Sequence, residues 1–197
     1  MCSIGSKPPT YIPPKGSADC ELALVCDRVS GYEATHGALF AGIVGNMLER
    51  ILSAPGVEIP FESVYAISVV PWRLPRDRFP RRHEIASRRN ALTAELEKVQ
   101  PSVIVALGGL SAYALFADRP FEPGEWREWG SEAFTVPVYH TLHPREALWN
   151  HIDEGRFIAD TRSKKRRMWD DWRAIAEKLT ERRQVVYQAD DESKENR

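Results

Sequence analysis

Residues 100–112, QPSVIVALGGLSA, decide the fold class. The five apolar residues Val103–Leu107 are mostly β-branched and too few for a buried helix, so they read as a buried strand. Pro101 stops the helical pattern before them. Gly108-Gly109 then opens directly into a second helical pattern, Leu110–Phe116. A strand, a glycine turn and a helix in that order form half of a βαβ unit.

The same alternation recurs on both sides. Glu21–Cys26 (ELALVC), Val64–Val70 (VYAISVV) and Thr135–Thr141 are further strands. Ala38–Ser53, with Leu39, Ile43, Met47, Leu48 and Ile51 at helical spacing, His83–Gln100 and Ser163–Leu179 are helices. Strands that alternate with helices imply parallel pairing through right-handed crossovers. The expected fold is α/β, a three-layer α/β/α sandwich around a central four-stranded parallel sheet. Residues 1–19, rich in Pro, Ser, Gly and Lys, read as an extended N-terminal arm. Residues 20–185 form the expected domain, and 186–197 a disordered tail.

The chain has 197 residues, with 27 Lys and Arg against 28 Asp and Glu and a formal net charge of -1. That balance excludes a uniformly basic, histone-like binder and a strongly acidic solvating protein, but not a local basic face. Apolar residues, 43% of the chain, suffice for a sizeable core. No apolar run approaches the roughly 18 residues that span a bilayer, and Met1–Pro14 lacks the apolar stretch of a secretory signal. Cys2, Cys20 and Cys26 form no CxxC pair, so a reducing cytoplasm is expected, as is a monomer.

In an open parallel sheet the ligand site lies beyond the carboxyl ends of the strands. Those ends here are Asp27, Ser68 with Val69, Gly108, and Thr141 with His143. Asp27 either projects into the crevice or caps a turn. His143 precedes Pro144, which holds it extended and fixes the imidazole's angle. Gly108 and Gly109 let a ligand approach the backbone, and exposed helix N–H groups favour phosphate. Residues 73–89, RLPRDRFPRRHEIASRR, carry seven arginines against Asp77 and Glu84. Arg73, Arg76, Arg78, Arg81 and Arg82 stand in the Pro-rich part, where guanidinium forks suit DNA phosphates. Arg88 and Arg89 read as a solvated helix face. Arg162, Lys164, Lys165, Arg166 and Arg167 are either a second contact cluster or plain solvation. The near-zero net charge is thus an average over segregated segments, since residues 1–72 carry four Lys or Arg against seven acids.

Together these segments resemble the uracil-DNA glycosylase superfamily, with family 4 enzymes the closest pattern. Residues 24–48, LVCDRVSGYEATHGALFAGIVGNML, align without a gap on its first motif. Asp27 falls on the motif's loop glutamate, Glu33 on the first of its acidic pair, Gly37 on its glycine, Phe40 on its phenylalanine, and Gly42 and Gly45 on its last glycines. In residues 64–85 the matches are Val69, Val70, Arg73, Pro75, Arg78, Pro80, Glu84 and Ile85. Residues 100–112 resemble Lys-Pro-x-Val-Ile-Val-x-Leu-Gly-x-x-Ala, and 141–148, TLHPREAL, resemble Thr-x-His-Pro-x-x-Leu-Leu. The resemblance spans about residues 20–180.

It implies an enzyme that binds single- or double-stranded DNA, flips a nucleotide out of the stack and cleaves its glycosidic bond. Phe40, set between Gly37 and Gly42, would stack on the base. Asp27 would stabilise the cationic sugar and orient water, and His143 would donate to a base oxygen as negative charge builds there. Arg145, Leu148 and Trp149 follow the His-Pro step on the loop that enters the duplex, with Leu148 or Trp149 as the wedge.

Three departures matter. The loop Cys26–Ser30 has lost the family's glycines and proline, and its acid is one methylene shorter. Ser68 stands where the family's asparagine reads the Watson–Crick edge of uracil, so a wider pocket or a different base is expected. Trp72 replaces a cluster cysteine, and three thiols cannot hold a four-cysteine iron–sulfur cluster, so no metal and no other cofactor is expected. A related branch bonds DNA covalently through a histidine in an inserted basic loop. Arg81-Arg82-His83 resembles it without the insertion, and His83 instead opens a helix. The expected function is a monofunctional DNA glycosylase acting on a uracil-like or modified pyrimidine, in repair or in defence against phages with modified DNA. The alternatives are a catalytically inactive DNA-binding module on the same fold and a nucleotide hydrolase that does not bind polymer.

Overall fold

The computed structural model describes residues 10–117, 121–131, 134–148, 152–153, 156–157 and 161–195. Trp149 and the first nine residues of the arm lie outside these, as does the side chain of Arg162.

Strand β1 (Leu22–Val29) is buried along its whole length because it is paired on both sides. Such a strand is screened from water on both faces, so it reads as one continuous apolar run instead of alternating. The short helix α1 (Gly31–His36) and helix α2 (Ile43–Leu52) lead to β2 (Val64–Arg73). A 3₁₀ turn at Pro75–Asp77 precedes α3 (Arg82–Val99), which returns to β3 (Val103–Leu107) and α4 (Gly109–Phe116). Strands β4 (Trp126–Ser131) and β5 (Phe134–Thr141) follow, then α5 (Pro144–Leu148), the two-residue strands β6 (Ile152–Asp153) and β7 (Arg156–Phe157), and α6 (Thr161–Glu195).

The sheet order is β2-β1-β3-β5-β4, with β2, β1, β3 and β5 parallel and β4 antiparallel. The α/β sandwich and its four parallel strands agree with the sequence reading. A fifth strand, β4, extends the sheet at one edge. The other edge, β2, is covered by the arm. Ile12 N donates to Pro71 O at 2.8 Å, and Lys15 and Ala66 exchange backbone bonds of 2.9 and 2.7 Å. The β2 edge is therefore partly closed to pairing with another chain, and β4 forms the other edge.

Two core layers flank the sheet. One packs Leu24, Cys26, Val105 and Leu107 against Leu48 and Leu52 of α2 and Met168, Trp172, Ile175 and Leu179 of α6. The other packs Val25, Ile67, Val69 and Ile104 against Ile85, Leu92 and Leu96 of α3 and Leu115 and Phe116 of α4. The crossovers from β1 and from β2 thus lie on opposite faces. The chain leaves β1 towards one side of the sheet and β3 towards the other, which opens a crevice at the carboxyl ends of these two neighbours.

The tail expectation is corrected. Helix α6 continues to Glu195, ten residues into the stretch read as disordered. That stretch has no Gly or Pro and carries charges of both signs, so a solvated helix is accessible to it. Among the described residues no helix is long and apolar enough to cross a membrane.

Candidate functional site

At the crevice, a cavity of about 380 Å³ is lined by Asp27, Phe79, Gly108, Gly109, Leu110, His143, Arg145 and Glu146. Three strand ends and the loop after β2 meet there.

Asp27 is 4% exposed. One carboxylate oxygen accepts from the backbone N–H of Arg28 at 2.8 Å. The other is ion-paired with the guanidinium of Arg145. A carboxylate at this depth is costly unless paired and hydrogen-bonded, and both conditions are met.

His143 caps α5. Its Nδ1 accepts from the backbone N–H of Arg145 at 3.2 Å. Its own N–H donates to Glu146 Oε1 at 3.0 Å. Glu146 at the third helical position thus makes its half of a capping box, while the imidazole caps the second-position N–H, with Pro144 at the first helical position. Burial, and then the charge of Arg145, push the His143 pKa down to about 3. The ring is therefore neutral, with Nδ1 occupied as an acceptor, and Nε2 carries the proton.

Gly108 ends β3 with φ 82° and ψ 164°, a conformation that only glycine adopts at low cost. A Cβ there would stand 3.4 Å from the His143 Cβ, so the glycine also keeps the cavity floor open beside the imidazole. Gly109 begins α4 on the cavity wall.

The loop after β2 is held by Asp77. Its carboxylate pairs with Arg28 at 3.1 Å and Arg73 at 3.7 Å and accepts from Gly31 N at 3.2 Å. These contacts offset the strain of two consecutive left-handed residues, Arg76 (φ 56°) and Asp77 (φ 60°). Phe79 follows, with the guanidinium carbons of Arg28 and Arg145 each 4.9 Å from its ring centroid.

The sequence-predicted residues separate into two groups. Asp27, His143, Gly108, Gly109 and Arg145 come together at the cavity. Phe40 instead lies in the core layer with Leu39 and Leu48. Its φ is 57°, and its N–H donates to Glu33 Oε1 at 2.6 Å. Gly37 terminates α1, and Gly42 begins α2 where a Cβ would strike the Tyr32 ring at 2.7 Å. Ser68 donates to Val70 O at 3.0 Å and borders a separate, smaller cavity against Tyr11 and Arg88. Leu148 ends α5, half-buried.

The arginines also divide. Arg145 faces Asp27, and Arg78 is gripped by Glu84 through bonds of 2.8 and 2.6 Å. That fork holds Glu84, at the start of α3, down to about 2. Arg73, Arg76, Arg81 and Arg82 are exposed around the loop, with Arg82 over the Tyr113 ring at 5.3 Å. Arg28, Asp77, Phe79 and Glu146 were not singled out by the sequence reading. For Glu146 a signal existed, since an acid three residues after the helix-capping position is the capping-box spacing.

The residues do not fit an iron–sulfur cluster. The chain has three cysteines. Cys20 and Cys26 are buried in opposite core layers, and among the described residues no group of His, Cys, Asp or Glu is disposed to hold a metal.

Comparison with known proteins gives a consistent placement. The type-4 uracil-DNA glycosylase of Saccharolobus solfataricus is 25% identical over 156 residues, covering 76% of this chain and 72% of that protein. The type-4 uracil-DNA glycosylase of Archaeoglobus fulgidus is 28% identical over 149 residues, covering 71% of this chain and 74% of the relative. The enzyme of that name from Thermotoga maritima is 31% identical over 149 residues, covering 73% and 74%. The family described as Uracil DNA glycosylase superfamily matches residues 13–173, a span that contains all four strand ends and every residue of the cavity, and the chain belongs to that superfamily.

Proposed function

We propose that this protein is a monofunctional DNA glycosylase that hydrolyses the N-glycosidic bond of a flipped-out uracil-like or modified pyrimidine and leaves an abasic site. The observation that carries the reading is the cavity at the β1 and β3 ends with Asp27 and the neutral His143 both on its wall. Family membership and relatives named uracil-DNA glycosylases support the reaction class.

Cleavage develops positive charge on the sugar and negative charge on the departing base, and each needs an opposite partner held in place beforehand. The Asp27 carboxylate supplies negative charge on the sugar side and accepts a hydrogen bond from the attacking water. The Nε2–H of His143 supplies a donor on the base side without having to be charged. The guanidinium of Arg145 holds the Asp27 carboxylate in place on that wall. Exposed Arg73, Arg76 and Arg81 hold phosphates beside the opening, and Leu148 on α5 is the wedge that fills the gap in the stack.

The finer reading, a base other than plain uracil, rests on Ser68 in the position of the family's asparagine and on the shortened acid. Repair and phage defence both use this chemistry. A second reading is favoured by one observation. The Asp27 carboxylate is tied to Arg145, as in a DNA-binding module that has lost catalysis. Incubating the protein with uracil-containing, deaminated and hypermodified phage DNAs and scoring abasic sites separates the two. The glycosylase produces abasic sites in at least one of these DNAs, and the inactive module binds DNA without producing any.

A further inference from the structure

We infer that Phe79 is a nucleobase-stacking residue at the mouth of the Asp27–His143 cavity, the aromatic platform on which a base of the bound strand rests. This deepens the glycosylase reading and rests on it.

Phe79 is a cavity-wall residue, yet 54% of it is exposed. Most of a core aromatic's surface is removed from water, and this ring contributes little to either core layer. Its backbone is nevertheless fixed on both sides. Asp77 is anchored three ways. Arg78 donates to the Phe79 carbonyl at 3.0 Å while its fork grips Glu84. Pro80 is buried. A rigid mount beneath an exposed ring is preorganised for a partner that is absent in the free protein. The partner's chemistry is set by what surrounds the ring. Arg28 and Arg145, ion-paired with Asp77 and Asp27, lie against it at 4.9 Å, and exposed Arg76 stands on the same loop. A flat π-system carrying a negative phosphate, that is, a nucleotide, satisfies both features. Phe40, buried in the core layer, presents no such face.

The alternative is that Phe79 only braces the two guanidinium groups. Direct binding tests separate these roles, using fluorescence anisotropy with a labelled single-stranded oligonucleotide that carries one uracil, for wild type, Phe79→Ala, Phe79→Leu and Phe79→Tyr. Base stacking predicts binding weaker by about tenfold in both Phe79→Ala and Phe79→Leu, with Phe79→Tyr close to wild type. The loss persists with a uracil-containing duplex, because the platform engages a base that has left the stack. Melting curves check that the exposed-ring variants remain folded. Wild-type affinity in Phe79→Leu or Phe79→Ala overturns the inference. Because binding needs no turnover, the two claims fail separately. Abasic-site formation with unchanged Phe79→Ala binding sinks only the stacking role. Weakened binding without abasic sites from any DNA sinks only the glycosylase reading.

Discussion

The backbone N–H of Arg145 donates to Nδ1 of His143 at 3.2 Å, and that bond decides which imidazole nitrogen carries the proton. The same residue's guanidinium holds the Asp27 carboxylate. One residue therefore sets the tautomer of the base-side group and the charge environment of the sugar-side group.

Removing the Arg145 side chain leaves Asp27 buried without a counter-charge. Arg145→Gln is expected to lower unfolding free energy by about 3 kcal/mol, the scale for breaking a buried pair from one side. Urea denaturation checks this. The double variant Asp27→Asn with Arg145→Gln recovers most of the loss, because no unpaired charge remains.

His143 titrates at about 3 in the folded protein against an ordinary 6.5. Between those values the unfolded chain binds a proton that the native protein does not. Stability must therefore fall as pH drops through this window, by at most about 1.4 kcal/mol per pH unit from this group. His143→Gln flattens that part of the curve in melting experiments from pH 7 to pH 4. By the same logic, kcat/KM shows no inflection near pH 6.5 from this histidine.

The loop arginines differ in what they hold. Arg76→Ala and Arg81→Ala should each reduce the salt slope of duplex binding by about 0.9. Arg78→Ala leaves that slope unchanged and lowers the melting temperature slightly, since its fork is engaged by Glu84. Affinity measured from 50 to 300 mM salt, roughly the range over which phosphate contacts are lost, decides this.

Leu148→Ala should slow excision from duplex DNA on the order of tenfold, the scale of one buried leucine side chain, and leave single-stranded DNA unaffected. Equal slowing on both substrates assigns Leu148 to packing and not to wedging.

Much of this was legible in the sequence. The parallel strands were, because strands buried on both faces appear as short β-branched runs such as Val103–Leu107. Strand β4 was not. Its Trp126, Glu128 and Gly130 are exposed, and a half-wet edge strand leaves no apolar run to find. The extension of α6 was missed because its composition is that of a solvated chain, and composition alone does not separate a solvated helix from a coil. Asp27 and His143 were legible as polar residues at strand ends. The Asp27–Arg145 pair was not, since 118 residues separate the partners and local patterning carries no information at that range. Phe79 was hidden among arginines, where charge dominates the reading.

The most direct measurement is the single-turnover rate of abasic-site formation by Asp27→Asn beside wild type, on whichever DNA the wild type processes. Losing a preorganised charge opposite the developing cation should slow the step by about 100-fold or more while DNA affinity stays near wild type. An Asp27→Asn enzyme as fast as wild type would contradict the assignment of Asp27 to the sugar side.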